Sequence, residues 1–351
     1  MVPVKEKEVV TVTDQLMDGY DVVVIGGGAA GLSGALTLAR ARRSVLVIDG
    51  GAPRNAPAAG VHGLLALDGI PPAELLERGR ADARRYGAQV ITGEVADARR
   101  VEGGTDGTDG PCGPDAAYGF EVTTADGRTV RARRLLVATG LVDELPDVAG
   151  LRERWGRDVL HCPYCHGWEV RDQAIGVLAS GPMAMHQVLL VRQWSDDITF
   201  FTHTMPEPSD EEAEQLAARG IRVVNGEVAA LEVAEDRLTG VRLADGTVVA
   251  REALVVGPRM AARAGFLASL GLRTAEHPAG IGTYLPTETG GRTDVPGVWA
   301  AGNVIDPSTQ VGMAAAAGAG AAVQINAELV AEDTRLAVAA HRAALAPEPA
   351  R

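Results

Sequence analysis

The chain has 351 residues, 46% of them hydrophobic, and a formal net charge of −13. That length favours two domains over one, and the acidic balance argues against nucleic acid or an anionic membrane surface as a partner. Three cysteines are too few for a secreted disulfide framework, and no basic start leads into an apolar run, so a cytoplasmic protein is expected.

Residues 1–18 are polar, lack a clear period, and are expected to form an N-terminal extension. The stretch "YDVVVIGGGAAGLSGALTLARARRSVLVIDGG" then reads as strand, glycine turn, helix and strand. Gly26, Gly28 and Gly31 match G-x-G-x-x-G, and Asp49 closes the next strand 18 residues past Gly31. Such a turn needs glycine because a side chain would keep a pyrophosphate from the helix amides, and Asp49 can accept hydrogen bonds from a ribose diol. In a chain with 43 glycines the pattern alone is weak evidence. A strand before it, a helix after it and an acid at this distance together point to dinucleotide binding rather than a plain tight turn. Residues 103–115 form a Gly/Asp/Pro loop, and Cys112 within it has no nearby partner and is read as a bystander.

"TVRARRLLVATG" is a further strand ending in a turn, and "HCPYCH" at 161–166 follows. The hexapeptide has three readings. Zinc could take His161, Cys162, Cys165 and His166, but adjacent His and Cys rarely converge on one ion and no second C-x-x-C exists. A structural pair in a loop is another reading. A redox pair is favoured, because C-x-x-C closes a short disulfide that opens and re-forms readily.

A second strand–turn–helix–strand unit, "AIGVLASGPMAMHQVLLVRQWSDDITFF", comes next, and "GVRLADGTVV" has the Asp-Gly of a hairpin turn. "GVWAAGN" returns to a strand, and a small-residue helix is expected from about Gly312 to Val330. Its run "GMAAAAGAGAAV" reads as too short and too weakly apolar to span a bilayer. The tail "APEPAR" is expected to be disordered. Two separate strand–turn–helix units predict an α/β protein with two doubly wound Rossmann-like domains.

"LLVATG" (Leu135–Gly140) and "GVWAAGNV" (Gly297–Val304) resemble the two signature strands of flavoprotein disulfide reductases. The resemblance implies FAD, with Thr139 and Gly140 bordering it and the residue after Gly302 on its ribityl chain. That residue is usually Asp in the family and is Asn303 here, an amide that still hydrogen-bonds a hydroxyl but carries no charge. Gln310 and the amides opening the last helix would face the flavin's pyrimidine edge, where a helix N-terminus stabilises the anionic reduced flavin. Arg54 and Asn55, in "APRNAP", are further candidate FAD contacts, and His62 is a candidate for the substrate side.

The order of FAD turn, "ATG", C-x-x-C, second Rossmann-like unit and "AAGN" resembles the low-molecular-weight thioredoxin reductases over residues 19–332. The resemblance implies a discontinuous FAD domain, 19–146 and 258–332, an inserted nicotinamide-type domain, 147–257, a C-terminal tail, 333–351, and a homodimer. It makes Cys162 the cysteine that exchanges with substrate and Cys165 the one beside the flavin. The family's usual acid after the pair is His166 here, whose imidazole could take and return a thiol proton; a His simply hydrogen-bonded at a helix start is the alternative, and His161 is a second candidate base.

The second glycine turn departs from that pattern. Ala179 stands at its first Gly, Gly181 and Ala184 keep their places, and Pro182 intrudes. Thr202, His203 and Thr204 stand where the family carries a basic run for the NADPH 2′-phosphate. "CPYCHGWE" and "APRNAP" resemble the branch containing the holomycin and gliotoxin dithiol oxidases. The expectation is therefore an FAD-dependent oxidase that closes a disulfide in a small natural-product dithiol and hands the electrons to O2, with an NADPH-dependent reductase as the alternative. A colourless redox or zinc-binding module is the reading from another class.

Overall fold

The computed structural model describes residues 16–101 and 119–345. Cys112 and the terminal "APEPAR" lie outside the described residues, as do residues 1–15. Leu16–Asp18 are tied to the sheet: Met17 N donates to the Tyr20 hydroxyl, and Arg131 N donates to Asp18 O.

The chain runs β1 (Gly19–Ile25), α1 (Ala29–Arg40), β2 (Val45–Asp49), α2 (Pro72–Arg85), β3 (Gln89–Thr92), β4 (Val95–Arg100), β5 (Phe120–Thr124) and β6 (Thr129–Val137). These strands form one sheet in the order β3-β2-β1-β6-β5-β4. The β3-β2-β1-β6 part is parallel and fully apolar where helices cover it, with Val22–Val24 and Leu135–Val137 buried. Strand β6 is long enough to pair with β5 through Thr129–Ala132 and with the late strand β19 (Val298–Ala300) through Leu135–Val137. The last third of the chain thus completes the sheet that the first third began.

The chain leaves that sheet through β7 (Leu141–Glu144) and, after α3 (Leu151–Arg154), β8 (Val159–Leu160) and α4 (Pro163–His166), enters a second unit. There β9 (Ile175–Leu178), α5 (Ala184–Val191), β10 (Ile198–Phe201), α6 (Asp210–Ala218), β11 (Arg222–Val224) and β15 (Ala253–Val256) follow, giving the order β11-β10-β9-β15-β8. All its pairings are parallel. An antiparallel flap, β12 (Val228–Ala234), β13 (Arg237–Leu243) and β14 (Val248–Val249), is inserted, and its last turn is the Asp245–Gly246 pair. The chain returns through β16 (Arg259–Ala262), antiparallel to β7, and the short β17 (Ala275–Glu276) and β18 (Thr283–Tyr284) lead to β19. Two doubly wound parallel cores are the observed architecture, as the paired strand–turn–helix units predict.

The last helix, α7, spans Val311–Leu345, well past the expected end near Val330. Two causes extend it. "AELVAEDTRLAVAAHRAAL" is rich in strong helix formers, and the helix around its expected end is anchored by charge. Arg134 pairs with Glu332 and Glu328, Arg133 with Glu332 and Asp333, and Arg43 with Asp333. By length and composition α7 could cross a membrane, the sequence run having looked shorter. Here its face of Ala314, Gly318, Ala321, Ala322 and Ile325 is buried, and Gly318 lets the α1 backbone approach: a Cβ there would meet Ala30 O at 1.9 Å.

Candidate active site

Between the two units lies one cleft of about 1370 Å³, larger than a typical ligand pocket and lined by both. Gly26, Gly28, Asp49, Arg54, Asn55, Thr139, Gly140, His161, Cys162, Cys165, His166, Gly302, Asn303 and Gln310 all line it. Residues more than 280 positions apart in sequence are brought to one surface.

The dinucleotide turn has the form its sequence predicts. Gly26 has φ +110°, and a Cβ on it would stand 2.3 Å from Ala138 O. Gly28 is the N-cap of α1, no side chain caps it, and a Cβ there would meet nothing within 4 Å. The turn's backbone is therefore open to the cleft, and the first amides of α1 are free for an anionic ligand. Gly31 does not line the cleft; a Cβ on it would collide with Gly26 O at 1.9 Å, so its role is to let the helix close on the turn. Gly27 is a residue the pattern treats as arbitrary, yet a Cβ there would sit 2.4 Å from Asp49 Cγ. The Asp49 carboxylate lies directly under the turn and also accepts from Gly51 N and Arg80 Nη1.

Other expected contacts line the cleft and also hold partners within the protein. Arg54 reaches the cleft wall, but its guanidinium is committed: Nε and Nη2 donate to the two oxygens of Asp143 at 2.8 and 2.7 Å. It ties "APRNAP" to β7, and the Asp143 carboxylate is only 8% exposed. Asn303 Nδ2 faces the carbonyls of Asp306, Pro307 and Thr309 at 3.2, 3.2 and 2.8 Å. Asp could make none of these donations, so the family's acid is replaced by a residue that shapes the 306–309 loop and keeps its Oδ1 for a hydroxyl. Thr139 Oγ1 donates to Arg263 O at 2.6 Å.

Cys162 and Cys165 form a disulfide, with Cα atoms 5.3 Å apart. Cys162 is the N-cap of α4, and its carbonyl accepts from both Cys165 N and His166 N at 3.1 Å. Pro163 suits the first helical position because its missing N–H is not needed there. This compact turn presents both sulfurs and the imidazole that follows them to the same cleft.

The two flanking histidines differ. His161 is deeply buried; its Nδ1 meets Val256 O at 3.2 Å, and burial, helped by the charge of Arg54, pushes its pKa down. His166 is also held below the ordinary His range, first by burial. Its Nε2 is buried with no hydrogen-bond partner. His62 packs edge-on against His166 but does not itself line the cleft. Glu169, the last residue of "CPYCHGWE", faces both, a role the stretch did not assign it.

A model of the pyridine nucleotide-disulphide oxidoreductase family matches residues 20–323. The chain belongs to that family. The crystal structure of HlmI is similar at 48% identity, covering 93% of this chain and 98% of that one with a TM-score of 0.85. An oxidoreductase structure from Agrobacterium tumefaciens is 36% identical over 89% of this chain and 99% of that one, with a TM-score of 0.79. Among curated relatives, thioredoxin reductase sirT of Leptosphaeria maculans is 31% identical over 90% of this chain and 95% of its own length. This pyridine nucleotide-disulphide oxidoreductase is thioredoxin reductase-like, an FAD-binding enzyme whose open Gly28 turn, half-buried Asp49 and Asn303 acceptor fit that cofactor.

Proposed function

We propose that this enzyme is an FAD-dependent dithiol oxidase acting on a small-molecule dithiol, with O2 as the final acceptor. The observation that carries the reading is the condition of the second dinucleotide turn. Ala179 is buried at its first position, and Pro182 packs on the other unit, where a Cβ on Gly280 would meet its ring at 3.0 Å. Past β10, His203 is held uncharged by burial and faces Glu227, so this ring supplies no cation to a 2′-phosphate. Gly156 meets Pro57 across the same boundary, a Cβ there standing 2.6 Å from the Pro57 Cβ. One fixed arrangement of the units serves a reaction whose electrons enter through the cysteine pair.

The residues then act in sequence. A substrate thiolate attacks Cys162 Sγ, forming a mixed disulfide and expelling Cys165 as a thiolate. The second substrate thiol gives its proton to His166 Nε2, which burial keeps in the free-base form. That sulfur attacks its partner in the mixed disulfide, closing the product ring and releasing Cys162 reduced. FAD, when bound, would supply the two-electron sink that returns the pair to the disulfide, with O2 as the final acceptor. Asn303 and the loop it holds, the Gly28 turn and Asp49 bind the cofactor; Arg54 keeps the wall between them rigid.

Replacing Cys165 with Ser tests the assignment. The variant should keep its FAD and still form a mixed disulfide at Cys162, but dithiols should no longer bleach it; unchanged turnover would refute the reading. The homodimer belongs to the same proposal, and sedimentation of the FAD-loaded enzyme at twice the 36.4 kDa chain mass would support it.

A further inference from the structure

His166 is one of four titratable groups that meet across the boundary between the two units. His62 stands on the loop after "APRNAP", where Val61 and Ile70 form a bridge and Gly69 N donates to Val61 O at 2.8 Å. This loop delivers the imidazole edge-on to His166, with ring centroids 6.3 Å apart and planes at 83°. His62 Nε2 lies 3.5 Å from Glu169 Oε1, and its Nδ1 lies 3.4 Å from Asp68 Oδ2. Gly63 N fixes Asp68 through its Oδ1 at 2.8 Å. The carboxylates are on the wet side, Asp68 being 68% and Glu169 41% exposed, while His166 Nε2 is buried.

Two imidazoles this close cannot both charge freely, so a charge on either ring disfavours one on the other. We propose that His62 is the positioning residue for His166: set between Asp68 and Glu169 and edge-on to the His166 ring, it opposes, when charged, a second charge on that ring, so that His166 is kept available as the proton acceptor. This inference rests on the dithiol-oxidation reading. The charged groups facing the pair are Asp68 on the His62 loop and Glu169 on the cysteine segment. Their influence on His166 has a definite sense: Glu169 draws its pKa up, and His62 pushes it down. The arrangement also makes the proton acceptor dependent on the two units being in register, since His62 belongs to one and His166 to the other.

The test uses the full-length, FAD-loaded enzyme and its His62→Gln and Glu169→Gln variants. Anaerobic bleaching by dithiothreitol is followed against pH, and in parallel the His166 ring is titrated by NMR in labelled protein. His62→Gln removes a repelling cation, so the acid limb and the His166 midpoint should move to higher pH by about half a unit or more. Glu169→Gln removes an attracting anion, so both should move to lower pH. Opposite shifts cannot come from a general loosening of the boundary. Slower bleaching with the limb and midpoint unmoved in both variants would reduce His62 to a strut and overturn the inference. If the parent enzyme is not bleached by dithiol at any pH, the oxidase reading falls, and the NMR midpoints alone then decide whether His62 controls His166.

Discussion

The backbone N–H of Val228 donates to His203 Nδ1 at 3.0 Å, fixing the ring at the end of β10 with φ +53°. The bond takes an acceptor lone pair on Nδ1, and burial opposes protonation, so the imidazole is neutral where relatives that use NADPH need charge. NADPH and NADH should therefore bind with affinities within about tenfold of each other, since no charge-assisted fork recognises the extra phosphate. Calorimetric titration of both nucleotides checks this, and a hundredfold preference for NADPH would reveal a phosphate site formed by other residues.

Asn303→Asp should weaken the site although it restores the family's usual residue. Three carbonyls that now face an amide would face a carboxylate, a loss of about 2 kcal/mol for unsatisfied or repelled groups. The expected readout is a lower melting temperature in the FAD-free protein and faster loss of FAD on dialysis. Equal stability would mean the 306–309 loop is held by something other than this amide.

Arg54→Ala should destabilise the protein with and without FAD. It leaves the Asp143 carboxylate, 8% exposed, without its bidentate partner, at a cost of about 3 kcal/mol. Arg54→Lys keeps the charge but not the fork and should recover only part of that. Thermal unfolding of the FAD-free forms separates this tie from a pure cofactor contact, which would leave the FAD-free protein unchanged.

Acid should weaken the fold through its buried imidazoles. His161, His166 and His203 all have folded-state pKa values below the unfolded value of about 6.5. Below that pH the unfolded chain binds protons that the folded chain refuses, so stability is complete above about 6.5 and declines as pH falls toward the depressed values. Denaturant midpoints at stepped pH should fall on the acid side, and by less in a His203→Gln variant.

The strand–turn–helix signatures disclosed both Rossmann-like cores because parallel strands covered on both faces must be continuous apolar runs, as in Val22–Ile25 and Leu135–Val137. C-x-x-C and its following His were legible for a similar reason: a short disulfide turn is a local structure. What stayed hidden depends on distant partners. Arg54 lines the cleft as expected, but a sequence does not show Asp143 lying across from it. Glu169 closes "CPYCHGWE" but its role there was not legible, since that role comes from a loop about a hundred residues earlier. The length of α7 was missed in part because Glu328, Glu332 and Asp333, around its expected end, are held by Arg43, Arg133 and Arg134, cations from the first sheet unit.

Anaerobic mixing of the FAD-loaded enzyme with dithiothreitol, and separately with NADPH, tests most directly whether electrons enter through the cysteine pair. Rapid bleaching by the dithiol, no bleaching by NADPH on the same timescale, and recovery of the yellow colour on admitting air are the predicted results. Rapid bleaching by NADPH with no response to the dithiol would contradict it and make the enzyme a nicotinamide-driven reductase.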